Sequence, residues 1–162
     1  MSKYNLQGFW VIAASFLVAL LLNIFPIPEW MKWARPEWVA LVLVYWVIAL
    51  PQRVGILIAW FLGIMIDSLE GAVLGQNALS LSVVAYLSII LYQRLRMYAI
   101  WQQAMVVCIL ISVHLLIGQW VENFDEVNSG GFLVLLPAMV SALFWPWVML
   151  ILRSLRRQYR II

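Results

Sequence analysis

Thiols and imidazoles are nearly missing from this chain: it has one cysteine, Cys108, and one histidine, His114. A single thiol inside an apolar run excludes an intrachain disulfide and a cysteine-based metal site. Cys108 reads instead as a small apolar packing residue. No second His, Cys or carboxylate stands at ligand spacing from His114, so no metal site is expected. A hydrogen bond to a neighbouring helix is the plain reading of His114; a ligand or proton carrier is the other. Charge is scarce as well. Charged residues make up 10% of the 162 positions, against about 25% in a soluble domain. With 66% apolar residues and a mean hydropathy of +0.99, the chain has too little polar surface to cover itself in water. It is expected to be an all-α integral membrane protein, one membrane domain over 1–162, with no soluble domain.

Catalytic patterns are missing too. No glycine-rich loop ends in Gly-Lys-Ser/Thr, and nothing resembles a nucleophile elbow. Asp67, Ser68 and His114 make a poor triad, because Ser68 would adjoin its own orienting acid. An acid pair sharing one proton needs a close partner, and Asp67 has only Glu70 nearby. No catalytic residue, cofactor or metal ligand is expected.

What the chain does have is apolar runs. A spanning helix needs about 20 residues, and six candidates follow: 9–25, 38–50, 54–66, 78–92, 100–120 and 132–152. The N-terminal run ends in "LNIFPIPEW", bulky and proline-containing, unlike a cleavage site, so it reads as a retained first helix. The second and third runs are short, which calls for tilt, local thinning or help from their flanks. Joining them into one helix over 38–66 gives a five-helix alternative. That would bury Arg53 at about 2.5–3.5 kcal/mol and place Pro51 inside the helix, so the hairpin is preferred.

Basic residues set the expected orientation. Arg153, Arg156, Arg157 and Arg160 follow the sixth run, and by the positive-inside rule this tail, 153–162, is cytoplasmic. Six spans then place both termini inside, together with Lys3, Arg53, Arg94 and Arg96. Eight of the ten basic residues fall inside, and all seven acids fall outside. A juxtamembrane basic tail is explained by topology and anionic lipid without nucleic acid. Contact with a cytoplasmic partner is a second reading of it. Tryptophans mark the boundaries: Trp10 and Trp101 inside, Trp30, Trp33, Trp38 and Trp120 outside. Pro146, between Trp145 and Trp147, predicts a kink in the sixth helix.

The stretch "IDSLEGAVLGQN" from Ile66 holds acids at the edge of apolar runs. Asp67 is the strongest single candidate, because intramembrane acids are costly; a wet helix end is the alternative. Gly71 and Gly75 have small-xxx-small spacing, which lets two helix backbones approach closely. The neighbour could be a partner's helix or another helix of this chain. Asp67 would orient this face by accepting N–H bonds at the start of the fourth helix, or by pairing with Arg35.

These elements together resemble the MreD-type bacterial rod-shape-determining membrane proteins. The resemblance rests on "RPEWVALVLVYW" from Arg35 and Pro36, "ALPQRVG" from Ala49, Asp67-x-x-x-Gly71-x-x-Leu74-Gly75, "WQQA" from Trp101 and Trp145-Pro146-Trp147. It implies a non-enzymatic subunit of the cell-elongation machinery in the inner membrane. The implied partners are an MreC-type bitopic membrane protein, an MreB-type actin-like filament, a RodA-type glycosyltransferase and a class B penicillin-binding protein. The implied fold is similar to the six-helix substrate-binding subunits of energy-coupling-factor transporters. That supplies a second reading, a subunit that binds a vitamin-like small molecule.

Overall fold

The computed structural model describes residues 2–122 and 131–159. Among these, six α-helices follow one another: α1 (Ser2–Ile24), α2 (Trp38–Ala49), α3 (Ile56–Glu70), α4 (Gln76–Leu95), α5 (Ile100–Glu122) and α6 (Leu136–Gln158). Short 3-10 turns at Glu29–Ala34 and Gly131–Leu135 precede α2 and α6. The helix is interrupted between Ala49 and Ile56, so the five-helix alternative does not hold. Most helices run past their apolar runs into polar flanks, because helical hydrogen bonding continues wherever water or side chains satisfy the ends. The clearest case is α6. Arg153, Arg156 and Arg157 do not form a tail behind it but lie in its last turns, and Arg160 lies outside the described residues. So does most of the outer loop "ENFDEVNSGG".

The sequence of α2, "WVALVLVYWVIA", has no polar face, and every residue from Val39 to Ala49 is buried. A helix apolar all round belongs inside a bundle or a bilayer; here it is inside the bundle. Helices α1, α4, α5 and α6 pack around it. Its 12 residues reach about 18 Å, far short of a bilayer core. Neighbouring helices surround it along that length. Trp46, fully buried, donates its indole N–H to Ser15 Oγ of α1 at 2.8 Å. At the C-terminus of α2, Arg96 donates to the carbonyls of Ile48 (2.9 Å) and Ala49 (2.7 Å). At the other end, Ser141 Oγ of α6 accepts the Glu37 N–H at 2.8 Å.

The outer surface is the reverse of a soluble protein's. Leu17, Leu21, Met105, Ile109, Leu143, Trp147 and Ile151 all point outward. An apolar surface that continuous does not persist in water, and lipid is its natural cover. By length and composition, helices over 76–95, 100–121 and 133–158 can cross a membrane. The helices alternate in direction, which gives the bundle two chemically distinct ends. Glu29, Glu37, Asp67 and Glu70 share one, here called the acidic end; Arg53, Arg94, Arg96, Arg153, Arg156 and Arg157 share the basic end.

The tightest helix contact is between α3 and α4, and the glycine that permits it is Gly63. A Cβ there would overlap the backbone of Ala78 and come within 2.6 Å of the Asn77 carbonyl carbon. Of the two neighbours expected for Gly71 and Gly75, another helix of this chain is the one the structure excludes. Both residues lie in the α3–α4 turn at positive φ, 67° and 100°, and a Cβ at either would meet nothing within 4 Å. Their four-residue spacing reflects two left-handed turn positions, which favour glycine. The "WPW" motif is also divided: Trp145 is 1% exposed and Trp147 69%, while α6 continues unbroken across Pro146.

These contacts predict an order of stabilities. Gly63→Ala forces α3 from α4, at about 1–3 kcal/mol or more. Gly71→Ala only strains a left-handed residue, by about 1–2 kcal/mol. In thermal melts of the purified protein, Gly63→Ala should be the less stable variant; the opposite order would contradict this packing.

Candidate functional site

Asp67 stands in the last turn of α3 and is 1% exposed. Each of its two oxygens accepts a backbone N–H. Oδ2 accepts the Gly75 N–H at 2.9 Å and Oδ1 the Asn77 N–H at 3.0 Å. The N-cap of α4 is Gly75, which has no side chain to cap with, so Asp67 supplies the acceptor from the preceding helix. A carboxylate there also meets the positive end of the helix dipole. The Asp67 carbonyl meanwhile accepts the N–H groups of Gly71 and Ala72. One residue thus closes α3 and opens α4. Of the two expected arrangements, N–H capping is the one formed, and pairing with Arg35 is not.

Beside this turn the acidic ends of the helices enclose a cavity of about 280 Å³. Asn23 (α1), Arg35, Glu37, Glu70 (α3), His114 (α5) and Gln119 (α5) line it with polar groups. Asn23 Nδ2 donates to Glu70 Oε1 at 3.0 Å, tying α1 to α3. Gln76 Nε2 donates to the Gly118 carbonyl at 3.0 Å, tying α4 to α5. His114 Nε2 lies 3.9 Å from Glu37 Oε2. Two buried nitrogens, Arg35 Nε and His114 Nδ1, have no hydrogen-bond partner. Glu37 precedes α2, outside the helices. Burial, aided by Glu70 and partly opposed by Arg35, pushes its carboxyl up to about 7. The cavity can therefore change charge near neutral pH, and it offers both an acid and a guanidinium to whatever enters.

The residues singled out in the sequence do not form one site. Asp67, Gly71, Leu74 and Gly75 make the α3–α4 turn, whose tip is Leu74, 75% exposed. Arg35 lines the acidic-end cavity, and Pro36 is buried just before α2. Trp145 lies deeper, in the wall of a second cavity at the basic end, with Arg153 and Arg156. Sequence reasoning missed Asn23, Glu37, Glu70 and Gln119 as companions of His114. The available signal was their common position at the same-side ends of apolar runs.

Comparison with known proteins gives the same assignment as the motifs. The model of the family "MreD: rod shape-determining protein MreD" matches residues 4–155. The rod shape-determining protein MreD of Haemophilus influenzae is 32% identical over 160 residues, covering 99% of this chain and 98% of that protein. No solved structure matches the chain significantly.

Two outcomes follow from the geometry. Asp67→Ala leaves the Gly75 and Asn77 N–H groups without acceptors, at about 1–3 kcal/mol for each buried donor left unmet. Faster hydrogen exchange should be confined at first to the start of α4; unchanged exchange there would contradict the capping role. The second outcome concerns pH. Glu37 has a folded pKa above its unfolded value, so the wild type loses stability as pH rises from about 4.5 to 7. Relative to Glu37→Gln, its melting temperature should fall across that window and level off above it. A constant difference between pH 4.5 and 8 would contradict the burial of this carboxyl.

Proposed function

The chain belongs to the MreD family of rod shape-determining proteins, and from that membership we propose that it is a non-enzymatic membrane subunit of the cell-elongation complex. In this reading it helps hold an MreC-type bitopic protein together with a RodA-type glycosyltransferase and a class B penicillin-binding protein. It also links them to an MreB-type filament beneath the membrane. The observation that carries the proposal is the family match over 4–155, nearly the whole chain. We also propose six membrane spans with both termini cytoplasmic, supported by the split of basic residues and by the opposite charge of the two bundle ends. The proposed fold relationship is to the substrate-binding subunits of energy-coupling-factor transporters.

Within this reading the motif residues divide the work. Asp67, Gly71 and Gly75 hold the shape of the α3–α4 turn, and Pro36 and Trp145 pack within the bundle. Leu74 and Trp147 are the large exposed side chains among the motif positions, and the turn glycines Gly71 and Gly75 are exposed beside Leu74, so a partner can reach all four. Between helices in lipid the hydrophobic effect contributes little, so such contacts rely on packing and hydrogen bonds.

A second reading is favoured by one observation, the acidic-end cavity with unpartnered Arg35 Nε and His114 Nδ1. Small-molecule sites combine a concave pocket with a few convergent polar groups, and this cavity has them. A subunit binding a vitamin-like small molecule would use it.

Depletion separates the two readings. Cells losing the elongation subunit should round up, and Leu74→Glu should weaken co-purification of the bitopic partner without reducing the chain's abundance. Normal rod shape with lost uptake of a small nutrient would favour the second reading. A reporter fused after Ile162 should be active only on the cytoplasmic side; periplasmic activity would refute the proposed orientation.

A further inference from the structure

The basic end contains a cavity of about 370 Å³ between α2, α4, α5 and α6. Its polar wall is made by Tyr45, Arg96, Gln103, Arg153 and Arg156, and no acidic residue lines it. Two of these groups are already committed. Arg96 donates to the Ile48 and Ala49 carbonyls and packs over the Tyr92 ring at 5.5 Å. It thereby neutralises the C-terminus of α2, whose dipole would otherwise repel an anion. The Gln103 amide nitrogen donates to the carbonyls of Leu95 (2.8 Å) and Tyr98 (3.2 Å), and its oxygen accepts from Trp145 Nε1 at 3.4 Å. These contacts fix the wall without using the remaining cations.

Arg153 and Arg156 are those cations. Three residues apart on α6, they share a side of the helix and line the same cavity. Among the described residues, the acids Glu29, Glu37, Asp67, Glu70 and Glu122, the last residue of α5, lie at the opposite end, so none of them can neutralise these arginines. Arg153 is exposed and Arg156 partly buried at the cavity mouth; Arg157, one position further along and also exposed, does not line the cavity. Leu150 and Ile151, exposed within a turn of Arg153 on α6, give an apolar surface on which acyl chains can lie.

We infer that this cavity is a binding site for a phosphate-bearing anion, with Arg153 and Arg156 as its ligands and Tyr45 as a further polar contact. Guanidinium forks match phosphate oxygens in pairs. Basic pockets between membrane helices take anionic headgroups in this way. The phosphate can come from a membrane lipid's headgroup or from a soluble phosphate, and the chemistry at the arginines is the same. The inference draws on the cavity alone and does not depend on the family's role in cell shape.

Native mass spectrometry of the full chain released from phosphatidylcholine nanodiscs doped with cardiolipin or phosphatidylglycerol tests it. Wild type and Arg157→Gln should retain an anionic lipid to a similar extent, and R153Q/R156Q about tenfold less or lower. Equal losses in Arg157→Gln and R153Q/R156Q would show diffuse charge attraction and overturn the site. So would full retention by R153Q/R156Q. If no lipid is retained, inorganic phosphate or pyrophosphate should raise the melting temperature of wild type but not of R153Q/R156Q, identifying a soluble source. Absence of both effects in wild type overturns the inference. Should R153Q/R156Q fail to fold, Arg156→Lys combined with Tyr45→Phe keeps the charge but loses one of the two guanidinium forks and the Tyr45 hydroxyl. It should retain several-fold less anion than wild type, and wild-type retention by that variant would contradict the assigned ligands.

Discussion

A twelve-residue helix with no polar face, α2, can be stable only if something other than water surrounds it along its whole length. In this protein four helices do so, and much of the remaining architecture follows from that enclosure. Because α2 is too short to reach both faces of a bilayer, its ends stop inside the bundle, and its terminal backbone groups need partners there. Arg96 serves the carbonyl end and Ser141 serves the Glu37 N–H. Each arrangement brings polar side chains to one end of α2, and each end carries a cavity. The lining is mixed acid, base and amide at the acidic end and arginine-rich at the basic end.

Cohesion in such a bundle has to come from close packing and a few hydrogen bonds, since lipid is as apolar as the side chains it would replace. Gly63 brings α3 against α4, Trp46 is bonded to Ser15, and Asn23 is bonded to Glu70. Asp67 adds a covalently short but mechanically important link, since its carbonyl and its carboxylate serve two successive helices. A carboxylate is otherwise expensive at this depth. Here both oxygens are met by backbone N–H groups, which is why an acid can persist at the edge of an apolar run.

The all-helical class and the positions of the six helices were legible in the sequence, because long apolar runs separated by prolines and arginines admit few other arrangements. The capping role of Asp67 was legible as one of two alternatives. Helix lengths were less so: apolar runs mark what faces lipid or core, while α6 continues through Arg157 where water supports it. The turn conformation of Gly71 and Gly75 was not legible because four-residue spacing is shared by a helix face and by the two ends of a glycine turn. Gly63, the real contact glycine, is a lone glycine in "WFLGIMI" and carries no pattern. The polar cavity was not legible because its members come from α1, α3, α5 and the segment before α2. Only tertiary packing brings residues as distant as Asn23, Glu70 and His114 together.

The central claim is that the acidic ends of the outer helices close together around the end of α2. Cross-linking tests it most directly. In a Cys108→Ala background, cysteines replacing Asn23 and Glu70 should be joined by a short bis-thiosulfonate reagent in intact membranes. A cysteine replacing Trp10, toward the opposite end of α1, should not join to the one at 70. Efficient joining of 23 to 70 with none from 10 is the result this architecture predicts. Failure of the 23–70 pair to join, with both thiols reactive to a monofunctional reagent, would contradict it.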